Sequence, residues 1–121
     1  MFIDGEWIES SSGKKIKTLN PETNEVWATV PEASEKDVDR AVRSAQKAFE
    51  NSWSNLLPKE RAKFLRNIGN QLRDNAEHLG KIETIDTGKL FKEIKTQATY
   101  IAEYYDYYAG LADKVEGTVV P

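Results

Sequence analysis

The sequence contains no cysteine, only one histidine, and no apolar run long enough to cross a lipid bilayer. Without cysteine, the chain has no thiol nucleophile, no disulfide and no thiolate ligand for a metal. Its net charge of −3 and its pI near 5.3 leave no basic excess, so we expect no nucleic-acid partner. Because no apolar run is long enough to span a bilayer, we also expect no membrane partner. Because the first residues lack the basic start and apolar core of a signal peptide, we expect the cytoplasm.

Catalytic groups of other kinds are equally scarce. The single histidine, His78, lies in a polar stretch and has no nucleophile partner, which favours a solvated surface residue. No glycine-rich loop joins a predicted strand to a predicted helix, as a phosphate-binding loop would. We therefore predict no catalytic residue and no cofactor-binding residue in these 121 residues.

The overall composition, 39% hydrophobic and 31% charged residues, is typical of a globular chain. Short alternating runs and turn signals predict a β meander over residues 1–31, and helical periodicity extends over residues 34–115. Residues 117–121 look like the start of a truncated strand. The predicted fold class is mainly α with a small antiparallel β meander, in a single partial domain of residues 1–121.

Local signals predict where each helix begins and ends. Ser34 with Asp37 resembles a capping box, Pro58 suits a first helical position, and Gly88 suits a left-handed helix stop. Asp74-Asn75 predicts a break. The last helix is predicted from about Leu90 to Val115, with one buried stripe. That stripe comprises Leu90, Ile94, Ala98, Ile101, Tyr105, Tyr108 and Ala112.

All five tyrosines fall on this last helix, between Tyr100 and Tyr108. Tyr105 and Tyr108 follow the predicted buried stripe, whereas Tyr100, Tyr104 and Tyr107 follow a second one. A helix that is apolar on two sides packs between two neighbours, so a core or interface helix is favoured over an isolated aromatic ligand box.

The corner at residues 82–90 allows several interpretations. Asp86 stands beside Thr87, Gly88 and Lys89. Its carboxylate could cap a helix end, pair with Lys89 or bind a cation, and the residues alone favour a cap or a surface pair.

Several segments, in order and at compatible spacing, resemble the N-terminal part of aldehyde dehydrogenases. They are residues 2–7, 20–26, 37–42, 83–89 and 107–114, together with Trp53, Pro58, Glu60, Arg61 and Leu65. Residues 86–89 and the tyrosine-rich run resemble the betaine-aldehyde and aminoaldehyde branch. Leu90 departs from the family, because many relatives have proline after the Gly-Lys pair.

This resemblance implies a part of an enzyme. Family members are several times longer, and their catalytic cysteine, general-base glutamate, oxyanion-hole asparagine and NAD(P) motif lie downstream of such a segment. The parent would oxidise an aldehyde, betaine aldehyde or an aminoaldehyde among the candidates, with NAD or NADP. The chain alone would be inactive, would partner the rest of the parent, and would belong to a homo-oligomer. The alternative is a non-catalytic helical interaction module.

The resemblance also implies two sites. In the family, the aligned helix positions line the aldehyde entrance, which places Thr96 and Tyr100 at the substrate tunnel. Betaine-aldehyde-type relatives hold a potassium or sodium ion through backbone carbonyls and an aspartate. The matching positions are Thr18 and Leu19 for the carbonyls and Asp86 for the carboxylate, a partial site that lacks a downstream ligand.

Overall fold

The structure, a computed structural model, describes residues 1–120 and divides into two compact units. The first unit is Met1–Asn55, and the second begins at Leu56. The sequence had predicted one partial domain over residues 1–121. More than half of the described residues are helical, which confirms the mainly α class with a small antiparallel β part. Within residues 1–120, no helix combines the length and the apolar character needed to cross a bilayer.

The strands of the first unit form two separate antiparallel pairs. Strand β1 (Phe2–Ile3) pairs with β2 (Glu6–Trp7) through a tight turn in which Asp4 and Gly5 both have positive φ. Strand β3 (Lys15–Leu19) pairs with β4 (Val26–Pro31).

The predicted single meander is therefore replaced by two hairpins. The segment between β2 and β3 forms hydrogen bonds with residues near the start of the first helix and not with a neighbouring strand. Ser10 is buried, and its hydroxyl donates to the carbonyl of Glu32 at 2.6 Å. The Ser11 N–H donates to the Asp37 carboxylate at 3.1 Å, so this segment is tied to the helix start and not to a strand ladder.

Helix α1 (Glu35–Asn51) begins with the predicted capping box. The Asp37 N–H donates to the Ser34 hydroxyl at 3.3 Å, and the Ser34 N–H donates to the Asp37 carboxylate at 2.9 Å. Asp37 is buried. The hydrogen bond from the Ser34 backbone, with further ones from the Ser34 hydroxyl and from Ser11, holds the pKa of the Asp37 carboxyl well below its usual range.

We expect Asp37 to make the stability of the first unit depend on pH. A carboxyl whose pKa is lowered on folding stabilises the fold above its unfolded pKa of about 3.9, and this contribution is lost as the pH falls towards the folded value. Asp37→Asn should therefore lower stability at pH 7 and flatten its acid dependence, as measured by urea unfolding at several pH values. Asp39→Asn, an exposed carboxyl of the same helix, is the matched control. Equal acid sensitivity of the Asp37→Asn variant and the unmodified chain would contradict this expectation.

The apolar stripe of α1 faces solvent in this structure. Val38, Val42 and Phe49 are each more than half exposed, and the one buried residue of the helix is Asp37. An amphipathic helix normally covers its apolar side, so this side is available to a further surface.

The second unit consists of three helices, α2 (Pro58–Asp74), α3 (Ala76–Thr87) and α4 (Phe91–Leu111). Pro58 occupies the first helical position, and Glu60 accepts a hydrogen bond from the Leu57 N–H at 2.8 Å. The predicted break falls at Asn75. Gly88 closes α3 with a φ of 73°, and its N–H donates to the Thr84 carbonyl at 2.9 Å. These boundaries confirm the local signals.

The core of this unit is built from small residues, which corrects the predicted stripe of α4. Ile94 and Ala98 are buried as predicted, but Ile101 and Tyr108 are exposed. The next buried positions are Ala102 and Ala109, where α4 packs closely against α2. Large side chains at those positions would hold the two helices apart, so the stripe follows the alanines.

The end of the chain also differs from the prediction. Helix α4 ends at Leu111, four residues before Val115, and the Lys114 N–H closes a turn on the Leu111 carbonyl at 2.9 Å. Gly110 weakens the helix at this point. The strand predicted over residues 117–121 is not formed in residues 117–120, where no neighbouring strand of the described chain is present to pair with it. Pro121 lies outside the described residues.

Candidate functional site

One side of α4 carries both residues that the resemblance assigned to a substrate tunnel. Thr96 and Tyr100 are one helical turn apart, on the same face. Both border an open groove of about 480 Å³ and a second groove of about 660 Å³. The Thr96 hydroxyl donates to the carbonyl of Lys92 at 2.9 Å, so its hydrogen is used within the helix. The structure thus places the two predicted residues side by side.

A further groove of about 350 Å³ continues along the same side towards the end of α4. We call it the tyrosine groove. Its lining consists of Tyr100, Glu103, Tyr104, Tyr107 and Tyr108. Tyr105, the fifth tyrosine, is half-buried on the opposite side of the helix. Four aromatic rings and one carboxylate therefore share a single exposed surface.

The rings of the tyrosine groove hold one another in place. Tyr100 and Tyr104 meet edge to face with their centroids 5.3 Å apart, and the Tyr104 hydroxyl donates to that of Tyr100 at 3.4 Å. This hydrogen bond raises the pKa of Tyr104. Tyr107 and Tyr108 also meet edge to face at 5.3 Å. The arrangement presents ordered aromatic surface to solvent.

Glu103 is the residue of this groove that the sequence did not single out. In the sequence it resembles any charged residue on the exposed side of a helix. Its position three residues after Tyr100 and one before Tyr104 could have placed it in the second tyrosine stripe, because residues three apart on a helix share a face.

The corner between α3 and α4 supplies Asp86, the carboxylate of the predicted cation site. Asp86 lies in the last turn of α3, in the second unit, whereas Thr18 and Leu19 lie at the end of β3, in the first. The ladder between β3 and β4 shifts register between Thr18 and Leu19. Such a shift disturbs regular pairing at the two positions whose carbonyls were assigned to the ion.

The neighbours of Asp86 are largely engaged with one another. The Lys89 ammonium pairs with Glu83 at 2.8 Å, and the Thr87 hydroxyl donates to the Glu83 carbonyl at 2.7 Å. Across residues 1–120, no group of three or more histidine, aspartate or glutamate side chains is placed to hold a metal ion. A cation at this corner would therefore depend on carbonyl oxygens and the one carboxylate.

His78 is exposed on α3, as the polar stretch predicted. It borders an apolar groove of about 440 Å³ together with Phe64, Ile68 and Leu79, side chains that α2 and α3 leave at the surface. No second catalytic group lines this groove, so nothing around His78 indicates acid–base chemistry.

We compared the sequence of this chain with those of known proteins. The sequence profile described as the aldehyde dehydrogenase family matches residues 7–121. A (Z)-2-((N-methylformamido)methylene)-5-hydroxybutyrolactone dehydrogenase of Acinetobacter baylyi is 42% identical, and the match covers 100% of this chain and 25% of that protein. A betaine aldehyde dehydrogenase of Bacillus subtilis is 39% identical over 99% of this chain and 25% of its own length.

Solved structures of aldehyde dehydrogenases also match the fold of this chain. A point mutant of betaine aldehyde dehydrogenase from Staphylococcus aureus, in complex with NAD+, superposes with a TM-score of 0.91 at 37% identity. The match covers 99% of this chain and 24% of that one. The chain thus spans about a quarter of the length of the relatives that it matches.

Proposed function

Because the chain belongs to the aldehyde dehydrogenase family, we propose that it is the N-terminal part of an enzyme that oxidises an aldehyde to the carboxylic acid with NAD+ or NADP+. The observation that carries this proposal is the family match over residues 7–121, supported by more than 35% identity to dehydrogenases of two kinds. Betaine aldehyde and aminoaldehydes are the substrates we favour, since a relative at 39% identity is a betaine aldehyde dehydrogenase.

The experiment uses the longer protein encoded by the same reading frame. Purified, it should reduce NAD+ or NADP+ in the presence of an aldehyde, as followed by NADH or NADPH absorbance. A panel of betaine aldehyde, an aminoaldehyde and neutral aldehydes of similar length would define the substrate. Absence of reduction with every aldehyde and both dinucleotides would overturn the proposal.

The dinucleotide would accept the hydride, but nothing in the described residues fits it. The chain has no glycine-rich loop between a strand and a helix, and no such cradle lines any of the grooves on α4. The contribution we assign to this chain is therefore the wall that an aldehyde passes, not the site where the hydride is transferred.

The first site we propose is that wall, formed by Thr96 and Tyr100. Tyr100→Ala in the parent should raise the KM for a cationic aldehyde by about fivefold, because an aromatic face contributes about 1 kcal/mol towards a cation. Steady-state kinetics with charged and neutral aldehydes would measure this change. Tyr105→Phe, on the opposite side of α4, is the control. If the Tyr100→Ala variant kept the same preference between charged and neutral aldehydes, Tyr100 would have only a packing role.

The second site we propose is the monovalent cation site of Thr18, Leu19 and Asp86. A bound ion stabilises the folded parent by about 2.7 kcal/mol when its concentration is a hundred times the dissociation constant. Asp86→Ala should lower the melting temperature in potassium chloride and remove the difference between potassium and a large cation such as tetraethylammonium. Asp74→Ala, an exposed carboxylate at the end of α2, is the control. Equal potassium sensitivity with and without Asp86 would refute the assignment.

A non-catalytic interaction module remains the second candidate, and one observation favours it. Apolar side chains are exposed on α1 (Val38, Val42, Phe49) and on α2 and α3 (Phe64, Ile68). Within the first proposal these surfaces contact the rest of the parent or a second copy, so we also propose that the enzyme is a homo-oligomer. We keep the cytoplasm as its proposed location, on the composition of the sequence. The aldehyde assay of the longer protein separates the two candidates, because a module would bind partners without oxidising any aldehyde. Sedimentation of the same protein measures its oligomeric state.

A further inference from the structure

A cavity of about 190 Å³ lies between the first half of α2 and the end of α4, and it shares no residue with the grooves described above. Three basic side chains, Lys59, Arg66 and Lys114, line it, and Asp113 is the one acidic residue of its lining. The whole chain has a net charge of −3, so this lining is a local concentration of positive charge on an acidic protein. Such a concentration attracts anions to one place on the surface.

Only one of the three basic groups is neutralised by the protein. The Lys114 ammonium donates to the Asp113 carboxylate at 2.6 Å, which holds the pKa of that carboxyl below its usual range, and the charge of Arg66 contributes to the same effect. In the part of the chain that the structure describes, no carboxylate is within ion-pairing distance of the Lys59 ammonium or the Arg66 guanidinium. Two positive charges of the lining are therefore available to an anion.

The arrangement of these two groups suits an anion with several oxygen atoms. Lys59 and Arg66 are seven residues apart on α2, which is two helical turns, so both lie on the face that borders the cavity. The guanidinium of Arg66 offers a planar fork of donors that matches two oxygens of one anion, and the ammonium of Lys59 offers a further donor.

The size of the cavity limits the ligand to a small group. A water molecule takes up about 30 Å³ of the liquid, so the cavity has the volume of roughly six waters. A phosphate group has five heavy atoms and fits this space with little solvent around it. Its two negative charges near neutral pH also match the two positive charges that Asp113 leaves uncompensated.

We propose that Lys59, Arg66 and Lys114 form a binding site for a phosphate group, carried by free phosphate or by a small phosphate monoester. Arg66 binds two of the phosphate oxygens, Lys59 binds a third, and Lys114 is shared between the ligand and Asp113. The bound anion links α2 to the end of α4 and so stabilises the second unit. The site is independent of the proposed aldehyde oxidation, because none of its residues belongs to the proposed wall or to the proposed cation site.

The test measures the backbone amide shifts of the isotope-labelled 121-residue chain during a titration with sodium phosphate at about pH 8, where phosphate is mainly a dianion. Sodium chloride at equal ionic strength is the reference, because salt alone screens exposed charges. Amides around Lys59 and Gly110 should shift in a saturable way, and those of α3 should not. A second titration with methyl phosphate identifies the source of the group, since a monoester site binds it more tightly than free phosphate and a free-phosphate site does not.

Three variants assign the shifts to the cavity. Arg66→Gln should weaken phosphate binding by about fivefold, at the upper end for one exposed charge pair. Asp113→Asn should tighten binding by up to about fivefold, because it removes the carboxylate that competes for Lys114. Lys63→Gln is the matched control, since it removes one exposed charge from the same helix at a position outside the cavity. Circular dichroism confirms that each variant keeps the helical content of the unmodified chain.

The longer protein from the same reading frame is tested through its melting temperature in phosphate and in chloride. Phosphate also stabilises proteins by exclusion from their surface, so the effect of the site is the part that Arg66→Gln removes and Lys63→Gln leaves. If Arg66→Gln removes nothing there, another part of the parent fills the cavity and the inference is wrong.

Three results with the 121-residue chain would also overturn it. They are equal shifts in phosphate and chloride, equal weakening by Lys63→Gln and Arg66→Gln, and no tighter binding by Asp113→Asn. If phosphate binds as described but the longer protein oxidises no aldehyde, the proposed function fails and this inference stands.

Discussion

The purified 121-residue chain should give no protein-dependent reduction of NAD+ or NADP+ by any aldehyde. Oxidation through a covalent intermediate needs a nucleophile that can form and release an acyl group, and the chain has no cysteine to provide a thiolate. In a protease, loss of the nucleophile alone costs about a millionfold in kcat. We therefore expect NAD+ or NADP+ to be reduced no faster than in buffer without protein.

The control for this result is the longer protein from the same reading frame, assayed at equal molar concentration. It should turn over the aldehyde that the 121-residue chain leaves unchanged. NADH absorbance is followed in both cases, with a sample lacking protein as the blank. Aldehyde-dependent reduction by the short chain, proportional to its concentration, would show that another group performs the chemistry.

Helix ends could be predicted because each depends on one or two residues. Ser34 caps α1 with its own hydroxyl, and Gly88 takes a backbone conformation that other residues reach at a cost. Asn75 separates α2 from α3 for a similarly local reason. Information of this kind is contained in the sequence, so the structure agrees with it to within a residue or two at these three positions. The end of α4 was instead predicted four residues too late.

The buried side of α4 could not be predicted in the same way. Periodicity ranks large apolar side chains as core residues and therefore selected Ile101 and Tyr108, both of which are exposed. The packing partner decides the matter, since α2 contributes Gly69 to the contact and approaches closely enough to leave room only for Ala102. A pattern on one helix contains no information on how near its neighbour lies.

The two candidate sites also differ in how far they could be predicted from local sequence. That Thr96 and Tyr100 share a face follows from a spacing of four on one helix, and the tyrosine groove extends the same argument. The cation site combines Asp86 with the end of β3, two elements far apart in the sequence. No local rule brings such elements together, so that assignment came entirely from the resemblance.

Gly69→Val should destabilise the second unit by about 2 to 3 kcal/mol, which is the usual cost of overfilling a closely packed contact. A Cβ atom at this position would lie 3.1 Å from the Ala102 carbonyl oxygen and 3.4 Å from the Tyr105 Cβ. Ala102 itself is 0% exposed, so neither helix has space to yield without moving its backbone. For a unit of this size, such a loss lowers the melting temperature by roughly 10 °C or more.

Thermal and urea unfolding, followed by circular dichroism, would measure the effect of Gly69→Val. The matched control is Gly110→Ala on α4, because a Cβ there would meet no atom within 4 Å. Replacing an unhindered helical glycine by alanine should raise stability, by up to about 1 kcal/mol. The two glycines should therefore respond with opposite signs, although both lie in helices of the same unit. A Gly69→Val variant as stable as the unmodified chain would show that α2 and α4 can separate at little cost, and that the small residues between them do not fix their distance.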